Sequence, residues 1–117
     1  MKPVVWMGDS LDELRDFPPQ VRDEMGFALY RAQLGSKHLA AKPLRGFGSG
    51  VVEVVSDHRG DTFRSVYTVR FATAVYVLHA FQKKSTKGIA TPSRELDLVR
   101  SRLKQAEALH RIREKQL

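Results

Sequence analysis

Thr62-Phe63-Arg64-Ser65-Val66-Tyr67-Thr68-Val69-Arg70-Phe71, Ala72-Thr73-Ala74 and Val75-Tyr76-Val77-Leu78-His79-Ala80-Phe81 form one continuous stretch: two runs rich in β-branched and aromatic residues, parted by three small ones. Such runs read as two strands joined by a tight turn. In the first, Phe63, Ser65, Tyr67 and Val69 alternate with Arg64, Val66, Thr68 and Arg70. In the second, Val77, His79, Phe81 and Lys83 alternate with Tyr76, Leu78, Ala80 and Gln82. Period two places each set on its own face of a sheet. Upstream, the valine-rich segment Gly50–Val55 and the turn Asp57-His58-Arg59-Gly60-Asp61 add a third strand, so residues 50–81 predict an antiparallel meander.

Working outward towards the start, residues 36–50 hold Pro43 and several glycines and read as a connecting loop. Before it, Val21, Met25, Leu29 and Ala32 share one helical face, beginning after Pro18-Pro19 and ending near Gly35. A shorter helix runs from Ser10 to Phe17, opened by Ser10-Leu11-Asp12-Glu13 in the pattern of a capping box. Val4-Val5-Trp6-Met7, ended by Gly8, reads as a short buried strand. Downstream, Gln82 to Lys87 is a basic loop without apolar periodicity. Thr91-Pro92 then opens a helix from about 92 to 113, with threonine as N-cap and Leu96, Val99, Leu103 and Ala106 on its packed face. Its tail after Leu109 reads as free to fray or to wait for a partner. The predicted order is β-α-α-β-β-β-α, an α+β fold with a small antiparallel sheet and helices packed on it, over one domain of residues 1–117.

Charge narrows the partners. Residues 1–81 hold 10 Lys and Arg against 9 Asp and Glu, a net of +1. Residues 82–117 hold 10 against 4, a net of +6, so nearly all of the +7 sits in the last third. That field suits a polyanion, nucleic acid or an acidic protein, although a solvated basic helix would carry the same charge. There is no cysteine, which removes thiol catalysis and thiolate metal sites and fits a reducing compartment. The apolar stretch at the start is too short for a signal-peptide core, and no apolar run approaches the ~20 residues of a membrane span. A cytoplasmic protein without membrane contact is expected.

Gly46-Phe47-Gly48-Ser49-Gly50 lacks the Lys-Ser/Thr of a phosphate loop, and the four histidines show no metal-ligand spacing, so neither a cofactor nor a metal is expected. What remains is polar chemistry on strands. A guanidinium at mid-strand is expensive unless solvated or functional, which singles out Arg64. His79, Lys83 and Lys84 follow on the last strand and its loop. Cleavage of RNA through its own 2′-OH needs a base, an acid and cations for the developing charge, and Arg64, His79, Lys83 and Lys84 are the candidates. Arg70, Phe81, Lys87 and Arg94 would extend the surface along the RNA, cations for phosphates and a ring for a splayed base. On residue type alone His79 reads as readily as a hydrogen-bonded sheet histidine, Phe81 as core, and Glu53 as a solvated carboxylate or as the partner of Arg64.

The segment Tyr76-Val77-Leu78-His79-Ala80-Phe81-Gln82-Lys83-Lys84-Ser85-Thr86-Lys87, followed by Thr91-Pro92-Ser93-Arg94-Glu95-Leu96, resembles the phage-derived, HigB-like branch of the RelE/ParE toxin superfamily. That branch shows Leu-His-x-Phe-x-Lys-Lys-Thr, then Lys, then Thr-Pro and an acidic-apolar helix start. Val51-Val52-Glu53-Val54 and Phe63-Arg64-Ser65-Val66-Tyr67 are similar to its upstream strands. The resemblance implies the toxin of a type II toxin–antitoxin module, a metal-independent endoribonuclease that cuts mRNA on the ribosome. It also implies a cognate antitoxin of the helix-turn-helix kind. Arg64 matches the strand arginine that holds the scissile phosphate, and Lys83 and Lys84 lie where relatives place a basic catalytic residue. Glu53 and Val55 stand where RelE-type nucleases carry lysines, and no tyrosine follows Tyr76. A ParE-like gyrase inhibitor and a non-catalytic RNA- or protein-binding remnant are the alternatives that the same fold allows.

Overall fold

A computed structural model describes residues 1–83 and 92–116. Its elements are β1 (Val4–Trp6), α1 (Ser10–Arg15), α2 (Pro19–Gln33), β2 (Ala41–Pro43), β3 (Val51–His58), β4 (Asp61–Thr68), β5 (Val75–Lys83) and α3 (Ser93–Lys115). The strands form one sheet in the order β1-β5-β4-β3-β2. The β3-β4-β5 meander is antiparallel, as its turns predict. None of the described helices is long and apolar enough to cross a membrane.

Two strands depart from the expected order. β1 pairs with β5 in parallel, Val5 opposite Tyr76, so the sheet is mixed rather than wholly antiparallel. Side-chain period reports that a segment is a strand but not its direction. The 36–50 segment contains β2, three residues that pair with β3 through Lys42 and Glu53. Pro43 lacks an N–H, and an edge strand is the place in a sheet that tolerates this.

Helices cover both faces. Phe17 of the α1–α2 turn and Val21, Met25 and Leu29 of α2 pack on Val54, Phe63, Tyr67 and Val77. On the other face Val99, Leu103 and Ala106 of α3 pack on Val51, Val66, Tyr76 and Leu78. The predicted faces of α2 and α3 are therefore the buried ones. The start of α1 differs from the expected capping box. Ser10 lies inside the first turn, and its buried hydroxyl donates to the Val77 oxygen at 3.3 Å instead of capping. A bond to the neighbouring strand takes precedence there over a local one. Pro92, not Thr91, stands at the N-cap position of α3.

The far end of α3 also differs from the expected fraying tail. His110 is buried, stacked on Phe71 at 4.2 Å between ring centroids, and its Nδ1 meets the Tyr76 hydroxyl at 2.8 Å. Glu114 lies 2.8 Å from its other nitrogen. These contacts fasten the last turns of a helix whose apolar stripe had already ended at Ala106. Burial pushes the Tyr76 hydroxyl up, with Arg113 opposing and Glu114 reinforcing.

The register of β4 against β5 breaks once. Val66 faces His79 but Tyr67 faces Val77, which leaves Leu78 as the extra residue of a β-bulge. Strict alternation along β5 is thereby corrected. Tyr76 and Leu78 join the α3 face, and after the bulge His79 takes that face too, against Glu95 and Arg102 of α3. Phe81 and Lys83 follow it by period two.

Candidate functional site

Arg64 lies on β4, the middle strand of five, opposite Val55 on β3 and Phe81 on β5. A buried guanidinium is tolerated only when paired. Here Nη1 donates to Glu53 Oε1 at 3.0 Å, with both side chains largely buried. Lys83 continues the face, opposite Thr62 on β4. On the β2 side of Glu53 lies a cleft of about 410 Å³ lined by Leu39, Ala40, Lys42, Glu53 and Val55.

His79 is buried beside this pair and stacks on Phe81 at 5.0 Å with 22° between the rings. Its Nε2 lies 3.3 Å from Glu95 Oε2 and its Nδ1 3.0 Å from Arg102 Nη1. A guanidinium has no acceptor, so Nδ1 must accept from Arg102, and the ring hydrogen belongs on Nε2, facing Glu95. Arg102 reaches further, donating to the Leu78 oxygen at 3.1 Å and to Asp9 Oδ1 at 2.9 Å. Gly8 makes room for it. Gly8 sits at φ +53°, and a Cβ there would stand 2.6 Å from the Arg102 guanidinium. Side chains from the approach to α1, from β5 and from the first half of α3 thus meet at one point.

The residues expected at the site do not all come together. Arg64, His79, Phe81 and Lys83 share one face of the sheet, where His79 meets the first turns of α3. Arg70 is at the other end of the sheet, where Nη2 donates to the Phe47 oxygen at 2.7 Å, Nε to the Ser49 oxygen at 3.1 Å and Nη1 to Glu107 at 3.3 Å. Those bonds hold the loop before β3 against α3. Arg94 is exposed on the first turn of α3. Lys84 and Lys87 lie outside the described residues.

Glu95 and Arg102 were missed in the sequence as parts of this site. Their signal was present: seven residues apart, they flank Val99 and fall on the buried line of α3 two turns from each other. Among the described residues no cluster of His, Cys, Asp and Glu is placed to hold a metal ion. The face offers a guanidinium and an ammonium for an anion, a ring beside them, and carboxylates at Glu53 and Glu95. That combination suits a phosphodiester with an adjoining base.

A family model described as phage-derived protein Gp49-like (DUF891) matches residues 12–104, which run from α1 into α3 and include the described residues of this site other than Gly8 and Asp9. No curated protein and no solved structure gives a significant match.

Proposed function

The chain belongs to the Gp49-like family of phage-derived proteins, part of the RelE/ParE-like toxin superfamily, and from that premise we propose that it is the toxin of a type II toxin–antitoxin module that cuts mRNA on the ribosome. The observation that carries this reading is the Arg64–Glu53 pair at the centre of the sheet, with Lys83 and Phe81 on the same face. A phosphodiester, like the carboxylate that Arg64 already holds, spreads one negative charge over two oxygens that can accept from a guanidinium, so it can exchange for Glu53 there. Lys83, with Lys84 and Lys87 beyond it, would add charge for the developing dianionic phosphorane. Attack by the RNA's 2′-oxygen forms the cyclic phosphate and expels the 5′-oxygen, which takes up one proton as the 2′-OH gives up another. Substrate positioning and charge stabilisation carry most of the rate in such a step, and no metal is required. Arg94, exposed on the first turn of α3, would meet a flanking phosphate, whereas Arg70 serves the fold at the other end of the sheet. The co-encoded partner would be an antitoxin, of the helix-turn-helix kind, that neutralises the toxin by binding it, and both would act in the cytoplasm.

Induced expression is expected to arrest growth and translation, with cuts inside translated codons mapped by primer extension, and Arg64→Ala or Lys83→Ala is expected to relieve both. Arrest with intact mRNA would overturn the nuclease reading. A second reading, a family member that binds RNA or protein without cutting it, is favoured by one observation: both ring nitrogens of His79 are engaged within the fold. It predicts unchanged mRNA and RNA binding that still depends on Arg64.

A further inference from the structure

The inner side of α2 is filled by Val21, Met25, Leu29 and Ala32, yet its outer side is apolar as well. Beside Gly26, the residues Phe27, Tyr30 and Leu34 follow at helical spacings of three and four, and these three large side chains are about half exposed, at 50%, 45% and 55%. Phe27 and Tyr30 stack, 6.5 Å between centroids. A helix on the surface of a monomer is apolar on one side only. Gly26 adds an independent sign. Glycine inside a helix is unfavourable relative to alanine, and a Cβ at Gly26 would meet nothing within 4 Å, so nothing in the chain's own packing calls for it. Bare backbone beside an aromatic platform is what a second helix needs in order to approach closely.

Charge selects the occupant. Asp23 and Arg31 stand four residues before and four after Phe27. Within the described residues Asp23 forms no salt bridge, and the Arg31 guanidinium lies over the Phe27 ring at 5.9 Å with no carboxylate beside it. We propose that this face is a homodimer interface, in which α2 packs antiparallel on α2 of a second copy about Phe27. A twofold axis at Phe27 sets Asp23 of each copy opposite Arg31 of the other, so both charges are paired twice by one symmetric contact. α2 carries Arg22 and Arg31 against Asp23 and Glu24 and is neutral, whereas α3, on the opposite face of the sheet, carries seven Arg and Lys against four Asp and Glu, a net of +3. Two copies therefore meet at their least charged surface and keep their basic faces outward. An acidic partner would find no net positive charge on this helix to select it.

One helix pair is small beside the roughly 1,600 Å² of a standard interface, so the dimer is reversible and depends on concentration. Sedimentation velocity of the full chain over a dilution series is expected to show a monomer–dimer equilibrium. Phe27→Asp is expected to leave only monomer, and so is Gly26→Leu, whose side chain enters open space in the monomer and leaves its circular dichroism and melting unharmed. Asp23→Arg is expected to weaken association at least tenfold, and Asp23→Arg with Arg31→Asp to restore it. A wild-type chain that stays monomeric at the highest attainable concentration would overturn the proposal, as would a dimer indifferent to Phe27→Asp. A monomeric chain whose complex with its co-encoded neighbour is lost on Phe27→Asp would also overturn it, giving the face to a different protein. None of these outcomes bears on RNA cleavage, so the two readings stand or fall separately.

Discussion

Arg102 donates from Nη1 to the main-chain oxygen of Leu78 at 3.1 Å, and Leu78 is the extra residue of the β5 bulge. A bulge takes backbone groups out of the ladder, and a buried carbonyl left without a donor is costly. The guanidinium fills that gap from α3. The same nitrogen fixes the tautomer of His79, and its neighbour reaches Asp9 across Gly8. One side chain thus joins the bulge, the β1–α1 turn and α3, and so determines where the ring beside Arg64 stands.

Arg102→Ala is therefore expected to cost about 2–4 kcal/mol, the range for losing charged hydrogen bonds to a buried carbonyl and ring. The Asp9 contact contributes little, because that carboxylate is 54% exposed. Arg102→Lys is expected to recover less than half, since an ammonium lacks the planar fork that serves Leu78 and Asp9 together. Urea denaturation measures both, and a loss under about 1 kcal/mol for the alanine variant would show that water replaces the guanidinium at the bulge.

Tyr67 is buried under α2, and burial pushes its hydroxyl up to about 12. The folded chain keeps this proton while the unfolded chain releases it near pH 10. The stabilisation is thus fully present below about pH 10 and is lost as pH rises to about 12, a fall of about 2–3 kcal/mol from this group. Tyr76 acts in the same direction. Denaturation between pH 9 and pH 12 is expected to show that slope, and Tyr67→Phe to flatten it. An identical slope in the variant would assign the alkaline loss to other groups.

His110→Ala would leave the Tyr76 hydroxyl, in a fully buried residue, without its 2.8 Å partner and would open space beneath Phe71. A loss of about 2–4 kcal/mol is expected. Hydrogen exchange should localise the effect. Amide protection from Glu107 to Lys115 is expected to collapse, while α3 near Val99 keeps most of its own. His110→Phe retains stacking without the hydrogen bond and is expected to fall between the two. Uniform loss along α3 would mean that the helix end has no local fastening.

The parts legible in the sequence are those that period and turn chemistry report. The valines of β3 and the spacing of Val21, Met25 and Leu29 each bear their own local signature, as does the β3–β4 turn. That turn is tighter than expected: only Arg59-Gly60 lies outside the strands, Asp57, His58 and Asp61 being paired within them. Contacts distant along the chain bear none. Nothing in Val4-Val5-Trp6 says that it lies parallel to Val75-Tyr76-Val77, because either direction buries the same residues. The bulge at Leu78 was hidden for a similar reason: every residue from Val75 to Phe81 is compatible with either face. Arg64 stood out because a central strand makes a guanidinium expensive, and the family resemblance pointed to it too. Arg102 did not, being one of many basic residues on a helix, and only the bulge gives it its task.

His79 offers the sharpest test of how the site works. An imidazole that shuttles protons needs a nitrogen free to change its state, but here Nδ1 accepts from Arg102 and Nε2 faces Glu95. The ring is placed to seat Phe81 and hold β5 to α3. Glutamine reproduces both contacts without titrating: its carbonyl accepts from Arg102 and its amide donates to Glu95. His79→Gln is therefore expected to keep mRNA cleavage within about tenfold of wild type, with no change in its pH dependence, because no general acid or base is removed. His79→Ala is expected to lose stability as well as activity, since it takes away the stacking partner of Phe81. Loss of cleavage by a factor of about 10²–10⁴ in the glutamine variant, at unchanged stability, would identify His79 as the proton carrier instead.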